Sequence, residues 1–250
     1  MRKRQSDLLF NLFNAISITQ LVVIKLKKVV LKLTGKLFDE ENVETLIKYS
    51  DIIRQRYTTG DRFAVVCGGG PMARHYIRIS RKLGINEGWS DVIGIEVSRI
   101  NASLINNLLG DIAYKYVPRS VDEFLVAWSS GRVVTLGGLQ PGQSTNAVAM
   151  IIAELIGADL MINATDVDGV FDKDPKEYPD ARLLPKVTIE ELRRVVRSGL
   201  LAGSYELFDQ LALTIAERSR IKLYFVNAFQ PSRTSELLEG RSTIATEVIY

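Results

Sequence analysis

A chain of 250 residues, 46% hydrophobic and 24% charged, has ordinary globular composition and enough length to bury a core unaided. Disordered, collagen-like and coiled-coil readings are excluded. One cysteine, Cys67, and one histidine, His75, rule out an internal disulfide, give too few ligands for a Cys/His zinc site, and count against serine- or cysteine-type hydrolysis.

The net charge of +3 is concentrated at the start. Residues 1–27 hold five basic residues and one acidic; the remainder holds 27 and 28. The body therefore lacks the basic stripe of a nucleic-acid binder. Within 1–27, Asn11, Asn14 and Gln20 interrupt the apolar run. No A-x-A-like site follows, and no stretch reaches the roughly 18 apolar residues of a membrane span. Leu8, Leu9, Leu12, Phe13 and Ile16 recur at helical spacing, which suits a short amphipathic helix for a partner or membrane surface. The plainer expectation is an appendage outside the fold, with the domain over 28–250.

From Val29 the chain alternates short apolar runs with helical patterns. A strand over 29–33 ends at Thr34-Gly35-Lys36. A helix over 39–55 places Val43, Leu46, Ile47 and Ile53 on one face. A second strand, 63–67, closes on Gly68-Gly69-Gly70, and Pro71 suits the first turn of a helix over 71–83. Further helices are expected over 90–109, 120–129, 146–157, 188–197, 206–219 and 232–239. Further strands are expected over 112–117, 132–136, 160–164, 222–226 and 243–249. Ser120 and Glu123 form a capping box. Residues 166–185, rich in Asp and Pro, read as a long connection or irregular hairpin. This alternation predicts an α/β fold with a mostly parallel sheet covered on both faces.

Ligands of such sheets bind beyond the carboxyl ends of the strands. The loops there are Thr34–Lys36, Gly68–Gly70, Gly137–Thr145 and Thr165–Asp174. Glycine loops entering helices offer N–H groups and a positive dipole end to anions. Lys32, Lys36 and Arg74 lie on or near them. Two such loops with basic side chains suit two phosphate-bearing groups placed face to face. Phosphoryl transfer needs positioning and charge neutralisation, not a histidine or cysteine nucleophile. P-loop, G-x-G-x-x-G and protein-kinase motifs do not occur.

Taken singly, each residue also has a plain structural reading. Lys32 suits a snorkelling edge lysine, Gly68–Gly70 a tight turn, and Asp91 an N-cap beside Ser90. Phe171 suits core packing, and Asp174-Pro175 a turn. His75 reads as a non-catalytic helix residue and Cys67 as a buried filler.

Five segments occur in order: VVLKLTGK (29–36), VVCGGGPMARHY (65–76), WSDVIGIEVSRINA (89–102), TLGGLQPGQSTNAVA (135–149) and NATDVDGVFDKDP (163–175). The set resembles the amino acid kinase superfamily, and within it the archaeal branch of uridylate (UMP) kinase. The resemblance spans residues 28–250. It implies a three-layer α/β/α sandwich, the reaction ATP + UMP → ADP + UDP with Mg2+, and a cytoplasmic homohexamer serving CTP synthesis. By resemblance, Lys32 neutralises the transferred phosphoryl group and Asp209 orients that lysine. Gly35, Lys36, Gly70 and Arg74 contact ATP phosphates; Thr165, Asp166, Phe171 and Asp174 hold adenosine. Gly69 and Asp91 contact UMP, Asp91 through the ribose. Leu139, Gln140, Pro141, Gly142, Gln143, Ser144 and Thr145 wrap the uracil and its phosphate.

Pro71-Met72 and Asp166 depart from the resemblance, which frequently has Ser-Thr and Asn there; Asn163 is polar on an apolar strand. Two other readings are an acyl-phosphate-forming kinase, such as an aspartate, glutamate or carbamate kinase, and a non-catalytic nucleotide sensor. Asp91 and the Gln140–Thr145 loop favour a nucleoside monophosphate over the first. Lys32 speaks against the second.

Overall fold

A computed structural model describes residues 26–173, 175, 177–198 and 208–250. The amphipathic pattern at Leu8–Ile16 lies outside the described residues, as does Asp174.

The strands are β1 (Lys28–Leu33), β2 (Arg62–Cys67), β3 (Val134–Leu136), β4 (Leu160–Thr165), β5 (Lys186–Thr188), β6 (Leu223–Asn227) and β7 (Thr246–Ile249). The α-helices are α1 (Val43–Thr58), α2 (Gly70–Lys82), α3 (Glu87–Leu109), α4 (Val121–Ser129), α5 (Thr145–Ile156), α6 (Ile189–Ser198), α7 (Gln210–Ser219) and α8 (Pro231–Leu238). The strands form one sheet in the order β3-β2-β1-β4-β6-β7-β5. Among the described strands, β6–β7 alone pair antiparallel.

Strands covered on both faces read as continuous apolar runs, and β1, β2 and β4 do. Alternation sorts their side chains between two cores. Val30, Val66 and Met161 join Ala147, Met150, Ala212 and Ala216 of α5 and α7 on one face. Val29, Leu31 and Leu33 join Ile53 of α1, Ala102 and Ile105 of α3, and Leu238 of α8 on the other. This is the expected three-layer α/β/α sandwich.

Capping follows local sequence. Ser120 Oγ accepts from Glu123 N–H at 3.1 Å, while the Glu123 carboxylate takes Arg119 N–H at 2.7 Å. Gly157 ends α5 in the left-handed region with φ +58°.

Some expectations need correction. Residues 112–117 do not form a strand. Gly110–Ile112 is a 3-10 turn, and only Ala113 bridges to Val133. The Asn106 amide bonds the Tyr114 carbonyl at 2.8 Å, taking a group a ladder would have used. α3 starts earlier than expected, because Asn86 Oδ1 accepts from Trp89 N–H at 3.0 Å. Asp91 therefore lies inside the helix and is not its cap. Of the expected α1 face, Ile53 is buried and Leu46 packs half-buried against the core, but Val43 and Ile47 face solvent, and Tyr49 and Ser50 are buried beside Ile53. The edge strand β5 was not foreseen; three residues carry too little pattern to stand out.

Candidate active site

The carboxyl ends of β1, β2 and β4 open on a cavity of about 170 Å³. A larger hollow of about 440 Å³ lies beside Tyr114, Tyr116 and Val126 at α4, but it is largely apolar. The smaller cavity brings Lys32, Lys36, Arg74 and Asp166 against the glycine turns at the carboxyl edge of the sheet.

Lys32 lies at its floor. β1 is the third of seven strands, so Lys32 is central, paired in register with Val66 on one side and Asn163 on the other. It is 5% exposed, which removes the edge-lysine reading. It has the strand parity of Val30 and so faces the α5 layer. Asn163 has the parity of Met161 and faces the same way. Its amide donates to Asn146 Oδ1 at 3.2 Å. Asn146 also lines the cavity, just inside α5. Neither asparagine belongs to the site residues that the motifs imply. The available signal was a polar residue on an otherwise apolar strand.

Two glycine turns form one wall. Gly68 N–H donates to Leu33 O at 2.9 Å, and the buried Asn101 amide holds Gly68 O at 2.7 Å. A Cβ on Gly70 would lie 2.1 Å from Gly35 O, and Gly70 has φ +64°. A Cβ on Gly35 would lie 2.0 Å from Gly70 N. Only glycine permits this backbone-to-backbone approach. The β1 turn and the start of α2 are thereby fused into one surface, with Gly69, Gly70 and Arg74 on the cavity.

The opposite wall is the start of α5. Ser144 caps it, accepting from Ala147 N–H at 3.0 Å, and Thr145 is its first residue. α2 and α5 thus both present their N-termini here, the ends that favour anions. Ser144 Oγ also donates to Asp209 Oδ2. The other Asp209 oxygen caps α7, accepting from Leu211 and Ala212 N–H at 3.0 Å each. Asp209 therefore reaches the cavity through Ser144 and α5.

Lys36 Nζ and Asp166 Oδ2 form an ion pair at 2.5 Å across the mouth, with Thr165 buried behind it. Phe171 does not line the cavity; it bridges to Leu183 in the irregular hairpin after β4. Asp91 and residues 139–143 also lie outside its lining. Asp91 Oδ2 accepts from Gly142 N–H at 2.9 Å, so these two UMP candidates meet each other.

Burial pushes the Cys67 thiol up, and nearby Lys32 only partly offsets that. The thiol stays protonated, as an inert filler would. His75 is exposed on α2, edge-on to Tyr76.

Among the described residues, no three His, Cys, Asp or Glu side chains gather to hold a metal. The cavity lining carries three cations (Lys32, Lys36 and Arg74), several hydroxyls and a single carboxylate, Asp166. That donor set fits a divalent ion carried by nucleotide phosphates, with its own waters, and does not fit a protein-held metal.

A model of the amino acid kinase family matches residues 27–227. The chain belongs to the amino acid kinase family. It is 46% identical to a uridylate kinase of Sulfolobus acidocaldarius over 224 residues, covering 89% of this chain and 99% of that protein. It is 45% identical to a uridylate kinase of Sulfurisphaera tokodaii over 216 residues, 86% and 96% of the two chains. The crystal structure of the Archaeoglobus fulgidus uridylate kinase superposes with a TM-score of 0.78 at 35% identity, covering 89% of this chain and all of that one.

Proposed function

We propose that the protein is a UMP kinase, a nucleoside monophosphate kinase that transfers the γ-phosphoryl group of ATP to the phosphate of UMP. The observation that carries this reading is the buried Lys32, central in the sheet beneath two fused glycine turns and between two helix N-termini. The relatives at 43–46% identity, named uridylate kinases, support the acceptor.

In the reaction an oxygen of the UMP phosphate bonds to Pγ while the bond from Pγ to the β,γ-bridging oxygen breaks. ADP leaves with that electron pair, and UDP forms. The attacking oxygen is already ionised at neutral pH, so no general base is required. The protein's task is alignment and charge neutralisation. Lys32 offsets charge on the moving phosphoryl. Gly35, Gly70, Lys36 and Arg74 hold ATP phosphates, and Thr165, Asp166, Phe171 and Asp174 hold adenosine. Gly69, Asp91 and residues 139–145 hold UMP. Asp209 acts as a positioning residue through Ser144 and the start of α5. When bound with the phosphates of ATP, Mg2+ would supply additional charge neutralisation.

The same reading covers the setting. We place the kinase unit in residues 28–250, with 1–27 as an appendage, and the activity in the cytoplasm, supplying UDP toward CTP. Among the described residues no helix is long and apolar enough to cross a membrane. Assembly as a homohexamer is what the family resemblance implies, and the apolar side chains exposed on α2 and α3, Met72, Tyr76, Trp89, Ile100 and Leu104, suit an interface between copies.

The test is an acceptor screen with ATP and Mg2+, following ADP release. UMP should give turnover, with CMP, aspartate and glutamate far behind. Turnover dependent on an amino acid, or independent of any acceptor, would overturn the assignment.

A further inference from the structure

Helix α3 grips the loop between β3 and α5 at separate points. Ser98 Oγ accepts from Gly138 N–H at 2.7 Å, and Asp91 accepts from Gly142 N–H at 2.9 Å. Arg99 contributes most of the remaining grip. Its Nε donates to Gly138 O at 3.1 Å, and its Nη2 to Leu139 O and Arg119 O at 3.2 Å each. Its Nη1 pairs with Glu96 at 2.6 Å. Glu96 in turn accepts from the Arg119 guanidinium at 3.0 and 3.3 Å. The Arg99 side chain is only 12% exposed.

A guanidinium is a rigid, permanently charged fork of five donors. Here the fork bonds backbone carbonyls of two segments and one carboxylate, all within the protein. Two carbonyl bonds, to Gly138 and Leu139, fix where the loop leaves β3, and the third ties the same side chain to Arg119 ahead of α4. The loop then has few residues before Ser144 and Thr145 start α5 at the cavity.

We propose that Arg99 is a positioning residue for the phosphoryl acceptor: it sets the path of residues 138–143 so that the loop meets the nucleoside monophosphate already ordered. The inference rests on assigning residues 139–145 to UMP. Without Arg99 the loop must be ordered at the moment of binding, and that cost falls on acceptor affinity. ATP binds on the other wall and does not bear it.

The experiment uses Arg99→Met and Arg99→Lys in the full chain, with Gln143→Ala as a loop control. It measures KM for UMP and for ATP, kcat, and thermal midpoints with and without UMP. Both Arg99 variants should raise KM for UMP roughly tenfold, the scale of one charged hydrogen bond, and leave KM for ATP within about twofold. Lysine should not rescue, because one ammonium lacks the fork that serves all four acceptors at once. The UMP-induced rise in thermal midpoint should shrink. If both KM values rise together, or only the unliganded midpoint falls, Arg99 is merely structural and the proposal is wrong. If Gln143→Ala raises KM for UMP but the Arg99 variants do not, the Arg99 role fails and the loop assignment stands. If neither position moves it, the loop assignment fails as well. Should Arg99→Met not fold, Arg99→Lys decides alone.

Discussion

Ser144 donates its hydroxyl to Asp209, so that one hydrogen bond joins the caps of α5 and α7. Asp209 thus has two separable duties. Asparagine caps helices about as well as aspartate, and alanine does not. Asp209→Ala should cost about 1 kcal/mol of stability, or roughly 2–4 °C in Tm. Asp209→Asn should keep Tm while lowering kcat, since the Ser144 contact loses its charge. Calorimetry beside steady-state kinetics checks this. Equal Tm losses in the two variants would refute the capping role.

Lys32 is buried, central and directed toward the α5 layer. A group that stabilises charge developing in the transition state affects rate more than binding. Lys32→Met should lower kcat by about a hundredfold or more, while UMP affinity measured by calorimetric titration changes far less. Parallel losses in both would favour the nucleotide-sensor reading.

The Lys36–Asp166 pair poses a competition. Any phosphate that recruits Lys36 must draw it from a carboxylate 2.5 Å away. Asp166→Asn removes that rival charge. KM for ATP should fall severalfold, with little change in KM for UMP. A rise in KM for ATP would mean that the bond of Asp166 to adenosine outweighs its hold on Lys36.

Acid should weaken the loop after β4. Burial alone would raise the Asp168 pKa, but hydrogen bonds from the Asn227 amide (2.9 Å) and Arg233 guanidinium (2.5 Å) outweigh it and hold the carboxyl below its ordinary value. A depressed carboxylate stabilises the fold fully above its unfolded pKa, about 3.9. That contribution is lost as pH falls through the lower, folded value. Urea midpoints from about pH 6 down to about pH 3 should therefore drop more steeply in the parent than in Asp168→Asn. Identical slopes would rule out Asp168 as a contributor.

The kind of sheet, most of its helices and the glycine turns are legible along the chain alone. Burial on two faces leaves unbroken apolar runs such as 63–67, and a backbone that must touch another backbone leaves glycine, as at Gly35 and Gly70. Those constraints act over a few residues and are written locally. Which distant groups meet follows from the folded arrangement. Lys36 and Asp166 are 130 positions apart, and Ser144 and Asp209 are 65 apart. Strand order made Lys32 a central residue when its local pattern also suited an edge. The cap at Asn86 put Asp91 inside a helix, and packing of α3 against the β3 loop gave Arg99 its carbonyls. Such meetings depend on register and on the order of strands in space, and periodicity along the chain carries neither.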